Sequence, residues 1–190
     1  MPKDQINKIN KHFLESSKLI KLSLVKLRRP LIQAANLISQ TFKAGNKLLN
    51  CGNGGSAAES QHFAAELVGR YLKERKAFPA ISLTTDTSAL TAIGNDYGFN
   101  KVFSRQVEAI AKQRDVLFCI STSGNSPNIL AAAKTAKLLQ VKTISLTGKS
   151  GKLKNLCDIN LIIPSDKTPL IQEVHLIIIH TICDQVELSL

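Results

Sequence analysis

A chain of 190 residues, 44% of them hydrophobic, can bury one sizeable core, so a single domain spanning 1–190 is expected. No apolar run approaches the roughly 20 residues that cross a bilayer, and polar Asp4, Gln5 and Asn7 stand where a secretory signal would be apolar. The formal charge of +11 is lopsided: residues 1–50 carry ten Lys and Arg against two acids, the remainder fifteen against twelve.

Residues 4–27 read as an amphipathic helix. Its lysines alternate with Ile, Leu and Val at helical spacing around one aromatic, Phe13, which favours a solvated helix face over a nucleic-acid surface. Arg28, Arg29 and Pro30 are predicted to break it, and 31–42 reads as a second helix. Residues 1–45 are thus expected to be N-terminal helices packed on the domain and engaged in oligomer contacts.

From there, short runs rich in Ile, Leu and Val alternate with helical segments. The runs are 47–51, 80–83, 116–120, 143–146 and 159–163, each bounded by Gly, Asp, Asn or Pro. Buried parallel strands read this way, because helices cover both of their faces. Helices are predicted at 56–68, 86–93, 100–111, 127–139 and 169–188, the last with Thr168 as cap and Pro169 in its first turn. The fold class is therefore α/β, a three-layer open parallel five-stranded sheet flanked by helices. Cys51, Cys119, Cys157 and Cys183 form no CxxC pair, and reduced core thiols of a cytoplasmic protein are expected.

Ligands of such sheets bind beyond the carboxyl ends of the strands. Two polar loops fall there. Cys51-Gly52-Asn53-Gly54-Gly55-Ser56 follows the first run and opens a helix, where glycines let backbone N–H groups approach an anion. Ser121-Thr122-Ser123-Gly124-Asn125-Ser126 follows the third run and opens a helix at Pro127, giving four hydroxyls for phosphate oxygens. Neither loop has a P-loop ending or dinucleotide-loop spacing, which points to a smaller phosphorylated ligand.

His62 and Glu66, four residues apart, share one helix face and can share a metal ion, act as an acid–base pair, or be an ordinary surface pair. His180 stands among Ile177, Ile178, Ile179 and Ile182, as a core histidine or a ligand. His175 reads as structural, and His12 has no functional reading. Asn95 and Asp96, in a predicted loop over 94–98, read as turn residues.

With these segments in view, the chain resembles the sugar isomerase (SIS) domain, and within it the phosphoheptose isomerase family. The resemblance rests on CGNGGS, QHFAAEL, GND, STSGNS and IQEVH with its following His180, and runs from about residue 47 to the C-terminus. It implies a phosphorylated sugar substrate and interconversion of sedoheptulose 7-phosphate with D-glycero-D-manno-heptose 7-phosphate, supplying heptose for lipopolysaccharide. It also implies a homotetramer with shared active sites and one zinc ion per subunit held by His62, Glu66, Gln172 and His180. Under it Glu66 is the catalytic base and His180 the acid. Asn53, Gly54, Gly55 and Ser56 contact substrate, Asn95 and Asp96 meet sugar hydroxyls, and Ser121, Thr122, Ser123 and Ser126 cradle the phosphate. The alternatives are a non-catalytic SIS relative that binds a replication initiator, and an isomerase of another phosphosugar.

The resemblance has consequences of its own. A carboxylate bound tightly to zinc is a weaker base, so the two roles of Glu66 compete. Gln172 and His180 lie eight residues apart, about 12 Å along a helix axis. They are expected either to approach one ion from different subunits, or to have Gln172 ahead of the regular helix. Pro169 and Leu170 replace the Asp or Arg of many relatives, and Glu59 stands where Asp is common.

Overall fold

The computed structural model describes residues 2–190. Five parallel strands, β1 (Leu48–Cys51), β2 (Ala80–Ser82), β3 (Val116–Ser121), β4 (Lys142–Thr147) and β5 (Ile159–Ile162), form one sheet in the order β2-β1-β3-β4-β5. Each matches a predicted run to within one residue at either end. β1, β3 and all but the first residue of β4 are buried, as expected of strands covered on both faces.

Alternation along the strands divides the core in two. Leu48, Phe118, Ile120, Ile144 and Leu146 face α1 (Lys3–Lys43), α2 (Gly55–Val68) and α6 (Thr168–Ser189). Leu49, Cys51, Leu117 and Cys119 face the other layer, made of α3 (Thr87–Tyr97), α4 (Ser104–Ile110) and α5 (Pro127–Leu138). The crossover from β1 to β2 runs on the first face and that from β3 to β4 on the second. The winding therefore reverses between β1 and β3, and a crevice opens at their carboxyl ends.

Expectations in three stretches of the chain need correction. The N-terminal segment is one helix of 41 residues, about 60 Å long, with Pro30 inside it rather than at a break. Pro30 removes one backbone donor and crowds the preceding turn, at a cost of about 3 kcal/mol. Buried Leu27, Ala34, Ala35 and Ile38 lie on both sides of it in a single stripe, and that packing overrides the local preference. The second correction is at 94–98. Asp86 caps α3 by accepting from Ala89 N–H at 2.9 Å, and the helix runs on to Tyr97, so Asn95 and Asp96 are helical. The expected helix over 100–111 is instead a 3-10 turn, Phe99–Lys101, followed by the short α4. Thirdly, Thr168 is the first residue of α6 and not its cap; Lys167 precedes it and no side chain caps the helix, while Pro169 does lie in the first turn.

Two carboxylates secure the amino edge of the sheet, opposite the crevice. Asp115 accepts from the N–H groups of Lys47 and Lys112 at 2.9 and 2.7 Å. Asp158 accepts from the N–H and hydroxyl of Thr143, both at 2.8 Å. Burial acts to raise both carboxyls, but these donors outweigh it, with Lys47 and Lys142 assisting, and both lie below their usual value. A carboxyl depressed in the folded state stabilises it above the unfolded value, near 4, and the benefit is lost as pH falls through the folded value. Thermal denaturation is accordingly expected to show a Tm that holds from pH 7 to about 5 and declines below about pH 4.

No helix among the described residues is long and apolar enough to cross a membrane.

Candidate active site

The crevice between β1 and β3 is lined by the two predicted loops. After Cys51 the chain turns through Gly52, whose pro-side-chain position is blocked by the backbone of Ser56. Gly54 then takes a φ of +55°, which a side chain would strain. Both glycines are needed for the turn to feed directly into α2, where Ser56, Ala57 and Ala58 direct their N–H groups back to Asn53 and Gly54 carbonyls.

After β3, Gly124 at φ +62° packs against the backbone of Ser150 and Gly151. The hydroxyls of Ser121 and Ser126 are 3.1 Å apart, Ser123 Oγ accepts from Asn125 N–H, and Thr122 carbonyl accepts from Gly148 N–H. Ser126, at the N-cap of α5, makes no capping bond with its side chain. In that first turn Pro127 has no N–H, Ile129 donates to Asn128 Oδ1 and Leu130 to the Ser126 carbonyl, which leaves the Asn128 N–H for an anion, with exposed Ser123 preceding it in the loop. Asn53 and Asn128 exchange two hydrogen bonds of 2.8 Å across the crevice, tying the loops to each other.

Helices α2 and α6 lie side by side and run in the same sense, in a register of three rungs. At the first, Gln172 presses against Gly55 so closely that a Cβ there would collide with its amide. At the second, His175 Nδ1 and Glu59 Oε2 are 3.0 Å apart; His175 has no exposed surface and Glu59 only 9%. At the third, the Nε2 atoms of His62 and His180 are 2.8 Å apart, and Glu66 Oε1 lies 3.7 Å from His62 Nε2. His62, Glu66 and His180 are each partly exposed, so a ligand can reach them. The ring of Tyr71 also lies near, with its centroid 5.5 Å from that of His180.

The structure thus brings together His62, Glu66 and His180, and separately the residues of the two loops. Gln172 joins the loop end, two turns of α6 away from His180. Because α6 is unbroken from Thr168, Gln172 does not precede the regular helix, and that one of the two expected arrangements is wrong. The four proposed metal ligands do not meet within one chain. Asn95 and Asp96 are exposed, hydrogen-bond each other at 2.8 Å, and stand on the opposite face of the sheet from α2 and α6. His175 is structural, as expected, and its Nε2 is buried without a partner.

Two imidazoles and a carboxylate are donor types that suit zinc. Their arrangement is that of a hydrogen-bonded pair. The 2.8 Å between the two Nε2 atoms is shorter than the roughly 3.3 Å between tetrahedral ligands at about 2.05 Å from one ion. Among the described residues no three His, Cys, Asp or Glu side chains form a ready cage. The chemistry of the set fits zinc, and an outward shift of about half an ångström would open the pair to an ion.

Nearby thiols and phenols are poor competitors for this chemistry. Burial, with the Glu66 and Glu187 carboxylates, pushes the Cys183 thiol up to about 12. Burial also raises Tyr71, with Cys183, Asp184, Glu66 and Glu187 adding to it. Cys51 and Cys119 are buried free thiols on the other side of the sheet, as expected for core cysteines, and Cys157 beside Cys119 is only partly covered.

Residues 12–148 match the SIS domain family. The chain is 56% identical over 180 residues to the phosphoheptose isomerase of Aliarcobacter butzleri, covering 94% of this chain and 95% of that one. Its fold is similar to a phosphoheptose isomerase of Neisseria gonorrhoeae, with a TM-score of 0.92, 45% identity, and 96% and 98% of the two chains covered. A phosphoheptose isomerase of Francisella tularensis gives a TM-score of 0.94 at 40% identity, covering 97% and 98%.

Proposed function

The chain belongs to the phosphoheptose isomerases of the SIS domain family, and from that membership we infer that it interconverts sedoheptulose 7-phosphate and D-glycero-D-manno-heptose 7-phosphate. The observation that carries the reading is the convergence of Glu66 and His180, from helices far apart in sequence, on the single nitrogen His62 Nε2. A non-catalytic SIS protein would have no need of that convergence beside an anion-binding crevice.

Aldose–ketose exchange moves a proton between adjacent carbons through an enediol. Glu66 removes the proton from the carbon next to the carbonyl and returns it to the neighbouring one. His180 carries the matching proton between the two oxygens, and His62 orients it. The hydroxyls of Ser121, Thr122, Ser123 and Ser126, with the Asn128 N–H at the start of α5, hold the phosphate. Asn53, Gly54, Gly55 and Ser56 line the other wall; Asn95 and Asp96, across the sheet from Glu66 and His180 in their own chain, are assigned to sugar hydroxyls at a site shared with a second copy. A substrate phosphorylated at its far end suits a protein whose anion loops and acid–base group are separate.

His62, Glu66 and His180 would hold a zinc ion, with Gln172 as fourth ligand. Bound zinc would polarise the carbonyl oxygen and favour the negative charge that develops there. Because Gln172 reaches Gly55 and not His62 in its own chain, the reading extends to a homotetramer in which a second copy supplies it. Exposed Phe13, Leu14 and Val25 on α1, each 70% or 71% accessible, and half-exposed Leu176 and Ile177 on α6, support burial against other copies. The proposed setting is the cytoplasm and the product's destination is lipopolysaccharide heptose.

The test is turnover of sedoheptulose 7-phosphate by purified protein, beside hexose and pentose phosphates. Heptose turnover is expected, with zinc detected by elemental analysis and lost from His62→Gln. Turnover confined to a shorter sugar, or none at all, would overturn the reading.

A further inference from the structure

We infer that Glu187 and Arg75 form a clamp that positions the acid–base group, a role resting on the isomerase reading above. Glu187 lies near the end of α6, its side chain only 2% exposed. It accepts from the N–H groups of Tyr71, Leu72 and Lys73, each at 3.0 Å, and from Arg75 Nε at 2.9 Å. Burial alone would raise this carboxyl. The three backbone donors and Arg75 outweigh burial and hold it below the usual range.

Arg75 uses its remaining N–H groups on the end of α2. Its Nη2 donates to the Glu66 carbonyl at 2.9 Å, and its Nη1 to the carbonyls of Leu67 and Gly69 at 2.8 and 3.2 Å. A helix leaves its last carbonyls without partners, and here one guanidinium supplies them, seated 4.0 Å over the ring of Phe78. The end of α2 is thereby bound to the end of α6.

The clamp reaches both halves of the acid–base group. On one side it grips the backbone of Glu66 itself. On the other, the N–H that Tyr71 gives to Glu187 fixes the segment whose ring lies against His180. Neither Glu187 nor Arg75 borders the loops after β1 and β3 that hold the phosphate. Loosening the clamp disturbs the proton-transfer geometry and leaves phosphate binding in place. Misplacement of about 1 Å costs up to about a hundredfold in rate.

Glu187→Gln keeps the shape and removes the charge. Its kcat is expected to fall about 10- to 100-fold, with KM within about threefold of the parent and amide exchange at 71–73 markedly faster. Glu187→Asp is expected to recover most of the loss, because a carboxylate remains. If Glu187→Gln fails to fold, Arg75→Lys, which keeps charge but loses the planar fork, gives the same readout. A simple structural staple would lower Tm and leave the kcat of the folded protein unchanged. An active parent whose variant retains kcat within twofold at 15 °C would overturn the positioning role alone. An inactive parent would overturn the isomerase reading and this role with it.

Discussion

Glu66→Gln is expected to lower kcat for sedoheptulose 7-phosphate by about a thousandfold, because it removes the carboxylate that stands beside the His62–His180 pair. The substitution keeps the side chain's shape and its place on the third turn of α2. The two loops are untouched, so KM is expected to stay within a few-fold of the parent. His180→Gln is expected to be milder, about a hundredfold, since water can stand in for a proton carrier between oxygens more readily than for a base at carbon. Steady-state kinetics with a coupled assay, on protein shown folded by circular dichroism, decides the matter. A Glu66→Gln enzyme that keeps a tenth of the parental kcat would remove Glu66 from the chemistry.

His175→Ala carries the largest expected loss of stability, about 3–5 kcal/mol. His175 is fully buried and bonded to Glu59, which is nearly so. Truncation leaves a buried carboxylate without its partner and a cavity between α2 and α6. Against a typical domain stability of about 5–15 kcal/mol, that is a substantial fraction. Glu59→Gln, which can still hydrogen-bond the imidazole, is expected to cost no more than about 1.5 kcal/mol. Urea denaturation of both variants tests the contrast. Equal losses would mean that the rung contributes through the charged pairing and not through volume.

The strands were legible because burial on both faces leaves a local imprint: an Ile, Leu and Val run with punctuation at each end. The loops were legible for a related reason, since glycines at Gly52 and Gly54 and the hydroxyl series from Ser121 are contiguous. Pro30 misled because the burial of Leu27 and Ala34 against the sheet, which outweighs its cost, is set by distant residues. Gly94, Asn95 and Asp96 have turn composition, yet the cap at Asp86 starts a helix whose packing carries through them. The clamp had no local signature at all. Arg75 sits among Lys73, Glu74 and Lys76, and its partner Glu187 is 112 residues away. A similar separation, 116 residues, hid the meaning of Glu59, which becomes a partner for His175 only when α2 and α6 are aligned.

The parallel course of the sheet gives every following helix its beginning on the same side. The starts of α2, α5 and α6 all stand at the carboxyl edge of the strands, so their dipoles add around the crevice instead of cancelling. In a chain of net charge +11, this makes the mouth of the site an attractor for dianions before any contact forms. Substrate capture should therefore slow as ionic strength rises and the screening length shrinks toward about 8 Å at 0.15 M, while the chemical step, sheltered between two helices, stays indifferent to salt.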